Sequence, residues 1–267
     1  MTIRTGIGGW SYPAWRGGAF FPVGLRQVDE QAFATRAVAA TEINATYYRL
    51  QKPATFAAWR AAAPPGFVYP LKGSRFVTNR KELGTAGPGI ANFMAQGLSE
   101  LGDMLGPIVW QLAATKRFEA DDVAAFFALL PASCYGLPLR HAIEVGHESF
   151  ACAEFVTLAR AAGVAIVWSD HPERTPIADR SAGFVYARLQ GMSANCPSGY
   201  PVDTLGKLAR TACEWSVGSV PTDLPYAANP TTSAGYPGDV FLLCINGAKE
   251  RAPAAAVALA AQIEVIR

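Results

Sequence analysis

Short apolar runs separated by helix-period segments recur along the whole chain, and this alternation restricts the fold more than any single motif. The runs lie at 3–10, 41–47, 67–72, 107–112, 141–145, 164–170, 184–189 and 240–246. Between two of them, Val123, Phe126, Phe127 and Leu130 fall at i, i+3, i+4 and i+7, one stripe of a helix. Asp121 and Asp122 would open that helix favourably, because negative charge suits a helix N-terminus. Cys152, Phe155, Val156 and Ala159 repeat the spacing, with Ser149 as the expected N-cap. Pro53 and Pro253 suit the first turns of two further helices. Eight such alternations predict an α/β chain folded as a single (β/α)8 TIM-like barrel domain over residues 1–267, a fold that typically takes about 250 residues. A doubly wound open sheet is the rival, but neither GxGxxG after a strand nor GxxxxGK[ST] is present. Long connections are expected at 11–28 and 217–239, the second rich in proline, glycine and threonine and expected to be mobile.

The stretch "TEINATYYRL" at 41–50 shows what the barrel reading has to explain. With a side-chain period of two, Glu42, Asn44 and Thr46 share one face while Ile43, Ala45 and Tyr47 take the other. In a barrel the apolar face meets the helices and the polar face points to the axis, near the C-terminal mouth where sites are built. Other runs repeat the device. Lys72 ends the third, Gln111 lies in the fourth, and Glu144 is followed by His147. Asp170 ends the sixth, Arg188 and Gln190 share a parity in the seventh, and Asn246 ends the eighth.

Polar groups delivered to one mouth predict a small polar or anionic ligand. Glu42 and Glu144 are the candidate carboxylates for general acid–base catalysis, one of them kept protonated by burial, with His147 and Asp170 beside them. Lys72 and Arg188 are the anion contacts, expected close enough to share one ligand. Trp10, Tyr12 and Tyr48 are expected to wall the mouth, with Asn44, Gln111, Gln190 and Asn246 as polar contacts. Taken singly, any of these charges can equally be part of a structural ion-pair network. A metal-dependent hydrolase or nuclease would draw on Glu144-x-x-His147 and Asp170-His171, but three histidines are few for such a site, and no metal or cofactor is expected. A non-catalytic ligand-binding barrel is the third reading. The stretch "SDHPER" at 169–174 contains Ser, Asp and His, but adjacency in sequence is not triad geometry.

Bulk properties narrow the partners. At 51% hydrophobic and 16% charged the chain has ample material for a core. A net charge of +2 is too small to imply nucleic acid or an acidic membrane. The five cysteines are scattered and odd in number, which fits a reducing compartment better than a disulfide framework. The opening "MTIRTGIGGW" runs straight into a strand without a signal-peptide pattern, and no apolar run reaches the ~18 residues of a membrane span. A soluble cytoplasmic protein is expected, with its oligomeric state left open.

Several motifs resemble one family in order along the chain. "GIGGWSYPAWRGGAFFP", "EINATYY", "FVYPLKGSRFVTN", "LGPIVWQL", "HAIEVGHESF", "VYARLQG" and "VFLLCINGAKERAPAAAVAL" resemble successive segments of the DUF72 (YecE-like) family, from about residue 5 to about residue 260. The resemblance implies a TIM-like barrel and assigns no reaction. This chain departs from the family pattern in places. Gly146 stands where E-x-R-H has arginine, and Gln190 where R-x-H-G has histidine. "QLAA" replaces the prolines after Gln111, and the closing asparagine pair reads Ile245-Asn246. Loss of one cation and one imidazole favours the non-catalytic reading.

Overall fold

The computed structural model describes residues 1–230 and 237–267. Part of the 217–239 connection expected to be mobile therefore lies outside the described residues. The strands are β1 Ile3–Gly8, β2 Ala40–Glu42, β3 Tyr69–Lys72, β4 Leu105–Gln111, β5 Ser133–Cys134, β6 Leu137–Pro138, β7 His141–Glu144, β8 Ala165–Ile166, β9 Trp168–Ser169, β10 Phe184–Leu189 and β11 Asp239–Cys244. The helices are α1 Glu30–Ala37, α2 Ala45–Tyr48, α3 Pro53–Ala61, α4 Arg75–Thr78, α5 Gly87–Met94, α6 Ala120–Ala128, α7 Ala153–Ala162, α8 Val202–Ser216 and α9 Ala252–Ile266.

This is an α/β fold on two parallel sheets, ordered β2-β1-β11-β10-β9 and β3-β4-β7-β8, with β5 and β6 forming a small antiparallel pair. Backbone bonds run between the two sheets where β2 meets β3: Thr41 donates to Val68 (3.2 Å), Ile43 to Pro70 (2.8 Å) and Lys72 to Ile43 (3.0 Å). Elsewhere Val167 alone separates β8, in one sheet, from β9, in the other.

The sheets have two distinct apolar faces. The larger core packs one face against the helices, with Ile7, Tyr69, Leu71, Trp110, Ile143, Leu189 and Leu242 meeting Phe56, Phe126, Phe155 and Leu259. A second, smaller cluster gathers alternate residues of both sheets: Ala40, Val68, Val109, Ala142, Ala165, Val167, Phe184, Tyr186, Phe241, Leu243 and Ile245. The period of two in the strands produces this division directly. At the N-terminal ends of these strands Asp239 accepts from Arg4 (3.2 Å), Arg140 (3.2 Å) and the Thr2 amide (3.0 Å). Burial alone would raise the Asp239 carboxyl, but that amide and the two arginines hold it below the usual carboxylate range.

Local chemistry overrides the expected strand at 41–47. The Thr46 hydroxyl donates to the Ile43 carbonyl (3.0 Å) and lies 2.7 Å from the Lys72 carbonyl, giving the backbone an alternative to the ladder. The chain therefore leaves β2 at Glu42 and turns into α2, so Asn44 and Thr46 do not share a strand face with Glu42. The expected run at 164–170 likewise divides, because Ile166 pairs towards β7 and Trp168 towards β10. Ser149 is not the N-cap of α7. Cys152 takes that position, and the Ser149 hydroxyl instead accepts from the Phe118 amide (2.8 Å). Pro53 and Pro253 do stand in the first turns of α3 and α9. Trp15, in the long connection after β1, is fully buried and donates to the Lys249 carbonyl (2.9 Å), tying that connection down.

Close approach of β1 and β2 depends on Gly6, where a Cβ would stand 2.2 Å from the Ala40 carbonyl oxygen and 2.8 Å from Leu243 Cδ1. Substitution Gly6→Ala should destabilise by about 1–3 kcal/mol, the range for overpacking a filled core. Urea unfolding reads this directly; an unchanged midpoint would mean that β1 and β2 can separate at no cost.

Candidate functional site

Parallel strands deliver their C-terminal ends to the same edge of a sheet, and here those ends are polar. Glu42, Lys72, Gln111, Glu144 and Ser169 are the last residues of β2, β3, β4, β7 and β9. Register fixes their neighbours: Gln111 lies beside Glu144, and Arg188 of β10 beside Ser169.

Arg188 is the centre of the group. Its side chain is 0% exposed, and Glu42 and Glu144 are buried with it. One guanidinium nitrogen donates to Glu42 Oε1 (2.8 Å) and the other to Glu144 Oε2. Arg188 Nε is buried without a hydrogen-bond partner among the described residues. Glu42 Oε2 accepts from the Tyr186 hydroxyl (2.8 Å). Glu144 accepts from Gln111 (2.7 Å) and Gln190 (3.1 Å). Gln190 is oriented in turn by Ser169 (2.9 Å) and by Asn246, whose amide donates to it at 3.0 Å.

Burial penalises every charge in this group, and proximity of opposite charge compensates. For Glu144, burial alone would raise the carboxyl, but Arg188 and Arg174 outweigh it and hold it below the usual range. Glu144 is therefore ionised, against the expectation that burial would protonate it if it were the candidate acid. Burial would lower the Arg188 guanidinium, but the two glutamates raise it. Tyr186 is pushed well above the ordinary phenol range, by burial first and then by the Glu42 charge, so it donates rather than ionises.

Lys72 stands apart from this pairing. It is half-buried, its ammonium lies 4.3 Å from the Tyr47 ring centroid, and it makes no ion pair among the described residues. Burial lowers its pKa, Arg188 lowers it further, Glu42 and Glu144 partly oppose this, and Arg174 adds to it. Arg174 approaches the same carboxylate, 3.7 Å from Glu144 Oε1, and its Nη1 is buried without a hydrogen-bond partner among the described residues. That nitrogen lies 3.1 Å from where a Cβ on residue 146 would stand, so Gly146 leaves room for it.

The remaining expected residues are engaged elsewhere. Asp170 accepts from the Gln190 amide (2.5 Å), the Gly191 amide (3.0 Å) and the Tyr200 hydroxyl (2.6 Å), fixing the end of β10. His147 Nδ1 accepts from the Ser149 amide (3.1 Å), and its Nε2 is 3.5 Å from Arg117. Among the described residues no three His, Cys, Asp or Glu side chains converge as a metal site. Trp10 packs edge-on against Trp59 (5.8 Å) and Tyr69 (6.4 Å), and Tyr12 against Trp15 (5.5 Å). Tyr48 is 58% exposed and touches Tyr47 edge-on. None of these aromatic contacts is with the arginine–carboxylate group. Asn44 is half-buried at the start of α2.

Four residues were missed by the sequence reading. Tyr186 carried a signal, since it shares the parity of Arg188. Ser169 and Arg174 both lie in "SDHPER", where only the Ser, Asp and His types drew notice. Tyr47 was assigned to the helix side because the strand was extended too far.

Replacing Arg188 by Met should cost about 3–5 kcal/mol, because Glu42 and Glu144 would remain buried without their shared counter-charge. Since Glu144 binds its proton less tightly folded than unfolded, its stabilisation is complete above the unfolded carboxylate value of about 4.3. It is lost as pH falls through the lowered folded value. Urea midpoints measured from neutral to acid pH should therefore fall, and Glu144→Gln should flatten that part of the profile. A profile identical in both proteins would show Glu144 to be uninvolved.

Comparison with known proteins agrees with this fold. A family model described as "Protein of unknown function DUF72" matches residues 4–266. A DUF72 family protein from Thermotoga maritima MSB8 superposes with a TM-score of 0.74 at 18% identity, over 100% of this chain and 99% of that one. A DUF72 family protein from Enterococcus faecalis V583 gives 0.72 at 15% identity, over 98% and 96%. At such identities the likeness is one of fold. No curated protein matches. With the family pattern spanning nearly every residue, the chain belongs to the DUF72 family.

Proposed function

We propose that residues 1–267 form a single (β/α)8 barrel whose C-terminal mouth binds a small anionic ligand through Lys72 and Arg174. Support for closure comes from the backbone bonds joining β2 to β3 and from the one-residue step between β8 and β9. The observation that carries the ligand reading is the imbalance at the mouth. Arg188 is paired with two carboxylates, whereas Lys72 makes no ion pair among the described residues and Arg174 Nη1 has only the long 3.7 Å ion pair to Glu144 and no hydrogen-bond partner among them. A ligand oxyanion would supply what both cations lack. Because Glu42 and Glu144 are taken up by Arg188, Tyr186, Gln111 and Gln190, binding is favoured over acid–base work by these carboxylates. Asn246 acts through Gln190. No described helix is long and apolar enough to cross a membrane.

Thermal unfolding at low ionic strength tests the reading. Phosphate, sulfate and small carboxylates should raise the midpoint, with about 2.7 kcal/mol of stabilisation at a hundredfold excess over the dissociation constant. Lys72→Met should remove most of that shift, and added salt should weaken it. Equal stabilisation by uncharged polyols, or an undiminished shift in Lys72→Met, would contradict it.

A further inference from the structure

We infer that the cavity between α8 and residues 221–224 is a small-molecule site, distinct from the strand-end cluster, that takes a zwitterionic α-amino acid with an apolar side chain.

The cavity follows from a break in the alternation of strand and helix. Residues 170–183, between β9 and β10, form no helix, so the helix side of β9 is covered from farther along the chain. Trp168 belongs to the core on that side and meets Trp215 of α8 edge-on (5.8 Å). Its neighbour Ser169 faces the other way, where it bonds to Gln190. Beyond α8 the chain returns as an irregular segment that is tied down. The Pro225 carbonyl accepts from the Ala178 amide (2.8 Å), and Asp179 accepts from the amides of Ala227 (2.6 Å) and Ala228 (3.2 Å). The Tyr226 hydroxyl donates to the Pro221 carbonyl (2.6 Å). A wall fixed in this way makes the cavity pre-formed, as ligand sites usually are. Its volume is about 380 Å3, near the lower end of the roughly 300–1,000 Å3 of such sites, which suits one small molecule.

The lining is apolar at depth and charged at the rim. Trp168, Leu208 and Pro221 are buried, and Leu224 is half-buried. Thr204, Lys207, Leu208 and Thr211 fall at i, i+3, i+4 and i+7, so a single face of α8 makes one wall. Four charged side chains line the same space, all of them exposed: Lys207, Arg210 and Glu214 from α8, and Asp223 from the facing segment. None forms an ion pair among the described residues. That holds even for Arg210 and Glu214, which stand at the i, i+4 spacing where helix ion pairs form.

Two unpaired cations and two unpaired carboxylates around an apolar floor leave the lining without net charge. A simple anion would face both carboxylates, and a simple cation would face both the lysine and the arginine. A zwitterion avoids either conflict. Its carboxylate meets the cations of α8, its ammonium meets Asp223 and Glu214, and its side chain covers the apolar floor.

Equilibrium dialysis of the full chain against labelled L-leucine tests this, and one saturable site per chain is expected. Leucinamide, which lacks the carboxylate, and isocaproate, which lacks the ammonium, should each compete about tenfold or more weakly, the loss expected for one charge-assisted hydrogen bond. Lys207→Met combined with Arg210→Met, and separately Asp223→Asn, should weaken leucine binding by a similar factor. These side chains are exposed, so the urea midpoint should stay in place and show that the fold is kept. Absence of saturable binding for both leucine and phenylalanine would overturn the inference. Equal competition by leucinamide or isocaproate would overturn the zwitterion. Binding lost in Lys72→Met but intact in the α8 and Asp223 variants would put the amino acid at the strand ends and overturn the assignment to this cavity.

Discussion

A guanidinium cannot escape burial by giving up its proton. Arg188 is fully enclosed, so its charge must be met where it stands, and Glu42 and Glu144 meet it. That requirement reaches across the molecule, because Glu42 and Arg188 belong to the five-stranded sheet and Glu144 to the four-stranded one. The ion triad is thus a link between sheets as well as a polar cluster. A buried triad of this kind adds little net stability over a well-packed apolar replacement, since desolvation offsets most of the attraction. What it does impose is position. β2, β7 and β10 must present three particular side chains at one depth, or a charge is left unpaired.

The N-terminal ends of the strands follow the same logic. Arg4 and Asp239 come from the five-stranded sheet, while Arg140 stands just before β7 of the four-stranded one, and Asp239 joins them. Between the two ionic ends lies a layer of apolar side chains with Tyr186 and Phe241 stacked in it. This middle layer strengthens the ion pairs by excluding water, and it makes any misplacement of them costly. Arg4 and Arg140 also lie over the Phe241 ring, at 5.6 and 5.0 Å, so their positive charge meets an aromatic face as well as Asp239.

Much of this was legible in the sequence because strand period and side-chain type agree. The expected strand Phe184–Leu189 has the observed bounds, and Arg188 and Gln190, of common parity, both reach Glu144. Glu42, Gln111 and Glu144 follow from the same rule. The rule failed where side chains compete with the ladder, as Thr46 does by bonding to Ile43. Trp10 and Tyr12 stand just after β1, and their rings make edge-on contacts with Trp59 and Trp15. Arg174 was beyond reach for a different reason. It comes from a connection with no period, and its place beside Glu144 depends on what residue 146 lacks, which only coordinates reveal.

The departures from the family pattern then acquire a physical sense. Gly146, where the resemblance implies an arginine, offers no side chain, and Arg174 Nη1 lies 3.1 Å from where its Cβ would stand. Where the pattern has histidine, Gln190 supplies an amide that holds Glu144 and Ser169. An imidazole there would change charge near neutral pH, and an amide does not. Gln111, Gln190 and Asn246 likewise contribute amides that carry no titratable proton. Lys72 differs from all of them. Burial and the neighbouring guanidinium groups lower its proton affinity, with Glu42 and Glu144 partly opposing them.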